Sequence, residues 1–166
     1  MGTVTEDSRP VRRGGNAAPA GLDPAIVTAM TSQRLSRQKR RDTAPELLLR
    51  RELHSRGLRY RVDAPLPGMP RRRADVLFSR ARIAVFVDGC FWHSCPEHRT
   101  SPANNAAWWQ EKLARNVARD RSTDAHLRDL GWAVLRFWEH DDMSAAASQV
   151  VEIWQRCVST RDDLHE

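Results

Sequence analysis

Four residues have the types and spacing that bind zinc. Cys90, Cys95 and His98 follow the pattern Cys-x4-Cys-x2-His directly after an apolar run, and His140 comes just after the next predicted strand. Zinc takes thiolate and imidazole ligands in a tetrahedron, so we expect these four side chains to form a zinc site. The alternative is two buried thiols beside an exposed histidine. Cys157 lies in an apolar segment and is expected to pack in the last helix, so no paired disulfide framework is predicted.

A second group of candidates consists of carboxylates. Asp75 follows three arginines, and Asp88 ends the apolar run. On adjacent strands the two could converge on Mg²⁺, which takes a few carboxylates together with phosphate and water. Phosphodiester cleavage uses such a site, because the cation neutralises the oxyanion and lowers the pKa of a bound water. Glu46 at a helix start and Asp120 within a helix are further candidates, and for each carboxylate the alternative is a turn former, a cap or a surface charge.

The chain is rich in tryptophan, with six against a single tyrosine. Phe91 and Trp92 lie in the cysteine loop, where a core role is awkward. Trp108 and Trp109 open a helix on which adjacent side chains point about 100° apart, so at most one of them is expected to be buried. Exposed aromatic rings beside a basic surface indicate base stacking or intercalation. The tryptophans expected in the core are Trp132, Trp138 and Trp154.

Charge is concentrated in one part of the chain. The 166 residues (19.0 kDa) suit a single domain, and 27 Lys and Arg against 21 Asp and Glu give a net charge of +6. Residues 34–82 carry fifteen basic and five acidic residues, and fourteen of the fifteen are arginine. Because guanidinium groups pair bidentately with phosphate, this block indicates nucleic-acid binding, with a solvated face as the alternative.

Neither a membrane span nor a secretory signal is predicted, so we expect a cytoplasmic, nucleoid-associated protein.

Helices and strands must position these residues. Residues 1–30 are predicted to be a disordered tail, 31–158 a single folded domain and 159–166 a C-terminal tail. Thr43-Ala-Pro-Glu46 has the capping-box pattern of a helix start, and four leucines supply the apolar face of that helix. Those leucines are Leu47, Leu48, Leu49 and Leu53.

The remaining pattern is that of a mixed α/β fold. The predicted helices cover 44–56, 106–130 (capped by Asn105) and 144–157, and the predicted strands cover 74–78, 83–87 and 132–138. The segment 83–87 is apolar on both faces, as in a central strand. This order predicts an α/β mixed sheet flanked by helices.

Several strings together resemble a known family. They are Asp88-Gly-Cys-Phe-Trp-His93, Leu66-Pro-Gly68, the arginines before Asp75, Trp109-x-Glu-Lys112, Asn116-Val-x-Arg-Asp120 and Leu130-Gly-Trp-x-Val-Leu135. Over about residues 31–155 the chain resembles the very-short-patch-repair (Vsr) DNA mismatch endonucleases. The resemblance implies a restriction-endonuclease-like fold related to the PD-(D/E)xK nucleases. It also implies Mg²⁺-dependent nicking of duplex DNA 5′ of the thymine in T:G mismatches left by deamination of 5-methylcytosine, by a monomer that interacts with mismatch-repair proteins.

The resemblance assigns roles to the carboxylates and the nearby histidine. Asp75 would be the main Mg²⁺ ligand, and Val87 would add its backbone carbonyl. His93 would be the general base or would orient the attacking water, and Glu46 and Asp120 would hold metal-bound waters or orient the site. Asp88 replaces the histidine of the best-known family pattern, and a carboxylate there could bind the metal directly.

The resemblance also implies a structural zinc and DNA-intercalating side chains. Cys90 matches a zinc ligand, Cys95 and His98 exchange the usual Cys/His order, and His140 stands where a cysteine is expected. The aromatic residues that match the major-groove wedge are Phe91, Trp92 and Trp109. Leu35 matches an apolar residue inserted from the minor groove, which is methionine in the best-known pattern.

Two other functions fit parts of the sequence. The same metal centre could serve a restriction-type nicking endonuclease without mismatch preference, and the zinc loop with its basic surroundings could belong to a non-catalytic DNA-binding module. Asp75 distinguishes the second alternative, since a carboxylate beside an arginine cluster would only repel phosphate in a module that does no chemistry.

Overall fold

The computed structural model describes residues 41–98 and 105–162, with side chains through 159. The elements are α1 (Ala44–Ser55), β1 (Arg61–Leu66), β2 (Met69–Phe78), β3 (Ile83–Asp88), α2 (Ala106–Asp129), β4 (Ala133–Trp138) and α3 (Met143–Asp162). The sheet has the order β1-β2-β3-β4, in which β1/β2 and β2/β3 are antiparallel and β3/β4 are parallel. The mixed α/β sheet predicted from the sequence is therefore confirmed, whereas the N-terminal tail and Leu35 lie outside the described residues.

The core lies on both faces of β3. Ile83 and Val85 pack in a cluster with α1 and α3, while Ala84 and Phe86 pack in a second cluster that includes Leu127 of α2. This alternation explains why the run is apolar throughout, since a strand covered on both faces has no solvent side. Three layers result, with α1 and α3 on one face of the sheet and α2 on the other.

The apolar face predicted for α1 is only half right. Leu49 and Leu53 are fully buried, but Leu47 and Leu48 are 40% and 51% exposed. A helix that contacts a sheet along one stripe buries positions three or four apart, so adjacent leucines cannot all face the core.

The first two strands form a hairpin, of which the sequence predicted only the end of the second strand, over 74–78. β2 begins at Met69 rather than at 74, because its arginine-rich first half pairs with β1, a strand whose pattern is interrupted by Asp63 (φ 45°) and by a register shift between Pro65 and Leu66. At the hairpin turn Gly68 has φ +70°, and a Cβ there would lie 2.8 Å from His126 Nε2. The same nitrogen lies 2.9 Å from the Pro67 carbonyl oxygen, so α2 holds the turn.

Helix bounds agree with prediction within a residue for α1 and α2, and Thr43 and Asn105 stand at the predicted N-cap positions, but neither makes the predicted side-chain cap bond. Thr43 donates its hydroxyl to Glu46 Oε1 (2.8 Å) instead of accepting from a helix N–H. Asn105 adopts a left-handed conformation (φ 58°) and makes no side-chain cap bond. Helix α3 continues to Asp162, four residues into the predicted C-terminal tail. Among the described helices, none is long and apolar enough to cross a membrane.

Candidate active site and metal cluster

The ends of two parallel strands bring the candidate residues together. In the register of β3 and β4, Asp88 pairs with Trp138, so the segments that follow the two strands leave the sheet at the same edge. The Glu139 N–H donates to the Asp88 carbonyl (3.0 Å), and Glu139 Oε1 accepts from the Cys90 N–H (2.8 Å). These two bonds fix the cysteine loop against the segment that carries His140.

Asp75 lies where several negative groups meet. Its Oδ2 accepts a hydrogen bond from the Val87 N–H (2.8 Å), which ties β2 to the end of β3. Burial raises the pKa of Asp75 from 3.8 to about 7, and the neighbouring Glu46 and Asp88 carboxylates add to the rise, while the Val87 bond and the Arg50 charge oppose it. A carboxyl crowded by other carboxylates gains most from a cation, because the cation favours its charged form.

Glu46 is held in place by its own end of α1. It is 7% exposed, and its two oxygens accept from the Thr43 hydroxyl (2.8 Å) and the Asp42 N–H (2.9 Å). Arg50, one turn further along, lies 3.6 Å from Glu46 Oε2. These contacts orient a buried carboxylate that lies close enough to Asp75 to raise its pKa.

His93 is paired with Asp120 across the cysteine loop and α2. The distance between His93 Nδ1 and Asp120 Oδ2 is 2.6 Å. Burial acts to raise the pKa of Asp120, but the hydrogen bond and charge of His93, together with the charges of Arg136 and Arg119, outweigh it and hold that pKa below its usual value. Because a charged Asp120 accepts the Nδ1 proton, the neutral imidazole presents Nε2 as its proton acceptor.

Asp88 does not stand alone at the end of β3. Arg136 Nη1 donates to both of its oxygens at 2.8 and 2.9 Å. Asp88 Oδ1 also lies 3.6 Å from His93 Nδ1. Sequence reasoning did not select Arg136 or its second partner, Asp124, although a charged residue in the otherwise apolar strand Ala-Val-Leu-Arg-Phe-Trp was a signal that could have drawn attention to it.

The four predicted zinc ligands converge. Cys90 Sγ lies 3.0 Å from His140 Nδ1 and 4.0 Å from His98 Nδ1, while Cys95 Sγ lies 3.9 Å from His98 Nδ1 and 4.0 Å from His140 Nδ1. Tetrahedral zinc with these donors would space them about 3.3–3.8 Å apart. Burial raises the pKa of the Cys90 thiol to about 12, with Cys95 and Glu139 contributing, a state that a bound cation would reverse. The group can therefore hold a metal ion.

The predicted wedge residues form one aromatic cluster. Phe91 lies between Trp92 and Trp109, with ring centroids 5.0 and 5.3 Å away, and all three are half-buried. Trp108 packs edge-on against Trp109 (4.9 Å) and is 48% exposed. Asn116 of α2 donates to the Trp92 carbonyl (3.1 Å), which anchors the loop.

The other predicted positions divide between core and site. Trp132, Trp154 and Cys157 are partly buried and pack against the two clusters, as expected. Trp138 belongs to neither cluster; its ring stacks at 8° on that of His140, 6.4 Å away. A residue at the end of an edge strand has the neighbouring loop, rather than a helix, to pack against, and this explains the wrong prediction.

Comparison with known proteins places this arrangement in a class. A family model described as DNA mismatch endonuclease Vsr matches residues 26–98, which include Asp75 and His93. The chain is 41% identical over 138 residues to the Type II nicking enzyme V.NaeI of Lentzea aerocolonigenes, covering 82% of this chain and 83% of that protein.

Two further relatives are also named as DNA endonucleases or nicking enzymes. DNA mismatch endonuclease Vsr of Escherichia coli (strain K12) is 43% identical over 102 residues, covering 60% of this chain and 62% of that protein. The Type II nicking enzyme V.NmeDIP of Neisseria meningitidis serogroup C is 38% identical over 105 residues, covering 62% and 69%. The protein is thus a DNA endonuclease, a hydrolase of phosphodiester bonds. Within that class, the chain belongs to the Vsr family.

Proposed function

We propose that the protein is a Mg²⁺-dependent mismatch endonuclease that nicks duplex DNA on the 5′ side of the thymine in T:G mismatches. The observation that carries the proposal is the linked group of Asp75, Asp88 and the His93–Asp120 pair, with an aromatic cluster on the same loop. A module that only binds DNA does not need buried carboxylates, because they repel phosphate. A nuclease that leaves its duplex undistorted does not need an aromatic cluster to insert between bases.

The oxygen donors fit a hard cation. Asp75, with Glu46 and Asp88 near it, is a carboxyl whose pKa lies near 7 without a cation, and oxygen ligands are those that Mg²⁺ prefers. In this proposal Asp75 and the Val87 carbonyl would hold Mg²⁺, and Glu46 and Asp120 would orient the attacking water. When bound, Mg²⁺ neutralises charge that develops on the phosphate and makes a bound water more acidic.

The chain's own groups then supply the proton transfer. Asp120 fixes the imidazole of His93 through Nδ1, so that Nε2 takes a proton from the attacking water. Glu46 is held by Thr43 and Asp42 and keeps its carboxylate directed at the site. Attack of this water on the phosphorus breaks one of the bonds from the phosphorus to a sugar oxygen, and the released oxygen takes up a proton, so one strand is cut and the other stays intact.

The aromatic cluster supports a preference for mismatches. Insertion of Phe91, Trp92 and Trp109 into a base stack is less costly at a weak pair, because a mismatched step unstacks with less free energy. We propose zinc as the metal of the Cys90, Cys95, His98 and His140 cluster, with a structural role, since four protein ligands leave no open position for substrate.

A second candidate comes from the relatives named as Type II nicking enzymes. In that reading the same centre nicks a defined sequence whether or not it contains a mismatch. The aromatic cluster would then serve to bend matched DNA.

Nicking of end-labelled duplexes tests both candidates. Duplexes that differ only in T:G, T:A or C:G at one position, in several flanking contexts and with Mg²⁺, are expected to yield a nick 5′ of the mismatched thymine alone. Equal nicking of T:G and matched duplexes would reject mismatch preference and favour the second candidate.

Variants test the assigned centre. Asp75→Ala is expected to abolish nicking while retaining T:G binding, and Asp129→Asn, at an exposed position near the end of α2, serves as the matched control with full activity. Full nicking by Asp75→Ala would remove the proposed mechanism.

A further inference from the structure

Arg136 is the charged residue of an apolar strand, and its side chain points into the protein. It is 22% exposed, and its guanidinium carbon lies 4.4 Å from the centroid of the Phe86 ring. Burial acts to lower the pKa of Arg136, but hydrogen bonds and charges from Asp124 and Asp88 raise it, so the group is a fixed cation.

Carboxylates occupy all three nitrogens of that guanidinium. Nη1 donates to both oxygens of Asp88 (2.8 and 2.9 Å), and Nε donates to both oxygens of Asp124 (3.0 and 3.2 Å). Nη2 lies 3.0 Å from Asp124 and 3.8 Å from Asp120. With its donors directed at protein acids, Arg136 is not placed to bind a DNA phosphate.

The pairing changes what Asp88 can do. Its side chain is about 10% exposed, and both oxygens accept from one guanidinium nitrogen, so its charge is compensated inside the protein. Asp75 has Val87 as a hydrogen-bond partner on one oxygen and no comparable cation at that distance among the described residues. Of the two strand-end aspartates, Asp75 is therefore the one that needs an external cation.

We propose that Arg136 is a positioning residue that keeps Asp88 out of the cation-ligand set and holds Asp88 and Asp120 near Nδ1 of His93. This inference rests on the proposed Mg²⁺ centre at Asp75. In this inference Asp88 pairs with Arg136 and does not bind the metal, although its position at the end of β3 suggests a metal ligand.

Binding of Mn²⁺ to the zinc-loaded protein without DNA, measured by electron paramagnetic resonance of free Mn²⁺, tests the assignment independently of nicking. Asp75→Asn is expected to weaken Mn²⁺ binding at least tenfold, and Asp88→Asn to change it less than threefold. Arg136→Met, which frees the Asp88 carboxylate, is expected to tighten binding at least fivefold. The double variant Asp88→Asn/Arg136→Met should return to within threefold of the wild type.

Kinetics separate positioning from DNA binding. Arg136→Met is expected to lower kcat at saturating Mg²⁺ at least tenfold and to change KM for the duplex less than threefold. Arg136→Lys keeps the charge but loses the fork, so it should bind Mn²⁺ as the wild type does and recover part of kcat. If Arg136→Met does not fold, the Asp88→Asn and Arg136→Lys measurements decide the question.

Three results would contradict the inference, and each identifies which assignment is wrong. Equal loss of Mn²⁺ binding in Asp88→Asn and Asp75→Asn would make Asp88 a ligand and overturn the inference while leaving the proposed function intact. A rise in KM alone for Arg136→Met or Arg136→Lys would make Arg136 a phosphate contact and also overturn it. Unchanged Mn²⁺ binding in Asp75→Asn would instead reject the proposed centre, and the inference with it.

Discussion

Replacing Asp75 by asparagine should stabilise the Mg²⁺-free protein, although it removes the residue we assign to catalysis. In the folded chain this carboxyl is buried beside Glu46 and Asp88, and its pKa rises to about 7. Ionising it therefore costs more in the folded than in the unfolded protein. Asparagine has nearly the same shape and no charge, so it escapes the cost.

The size and pH window of the effect follow from the pKa. With an unfolded value of 3.8 and a folded value of about 7, Asp75 costs nothing below pH 3.8, and stability is lost as pH rises until the carboxyl is ionised in both states above 7. A rise of about three pKa units corresponds to a loss of about 4 kcal/mol in the free energy of unfolding once Asp75 is ionised in both states. At about pH 5 only about 2 kcal/mol of that loss is present. Residual solvent contact makes these values upper bounds, so we expect a gain of about 2–4 kcal/mol at pH 8.

Urea unfolding of wild type and Asp75→Asn in Mg²⁺-free buffer, with the proposed zinc site left loaded, measures this effect directly. The gap in free energy of unfolding should be larger at pH 8 than at pH 5, and Mg²⁺ should stabilise the wild type but not the variant. Asp129→Asn, which removes an exposed carboxylate, should track the wild type. A variant no more stable than wild type at pH 8, or a gap that shrinks as pH rises, would refute the reasoning.

Three other changes have defined outcomes. His93→Ala should lower kcat by about 10²- to 10⁴-fold at unchanged duplex affinity, because it removes the proton acceptor; a drop in affinity alone would contradict this. Trp109→Ala should cost about 1–3 kcal/mol in binding a T:G duplex, measured by fluorescence anisotropy, and less for a matched one; equal losses would argue against a wedge. Metal analysis should find about one zinc per chain, and chelation should lower Tm; a metal-free protein with unchanged Tm would exclude a structural zinc.

Local signals predicted most of the fold. The run 83–87 is apolar on every residue, and this identified β3 as the central strand. The starts of α1 and α2 followed from Thr43 and Asn105, and a glycine with positive φ, Gly57 or Gly131, comes shortly after each helix end. β1 was not separated from its surroundings because Pro65 and the left-handed Asp63 interrupt its pattern, and only pairing with β2 makes it a strand.

Some contacts of the candidate site could be predicted from the sequence and others could not. Cys90, Cys95 and His98 are close in sequence, so spacing alone could predict their meeting, and the parallel strands bring His140 to them. The contact between Arg136 and Asp88 spans 48 positions, and neither residue type specifies the other. Such a pair depends on strand register, which one sequence without a fold does not supply.

The cysteine loop has a consequence for how the enzyme could change over evolution. Phe91, Trp92 and His93 occupy the short segment between Cys90 and Cys95, the two cysteines of the proposed zinc site, and Asn116 and Asp120 of α2 anchor that segment. A substitution that reshapes the wedge for a different mispair must also displace the histidine beside it. In the proposed mechanism, substrate range and turnover therefore change together, and variants with altered preference should arise more readily at the Trp108–Trp109 end of α2 than within the loop.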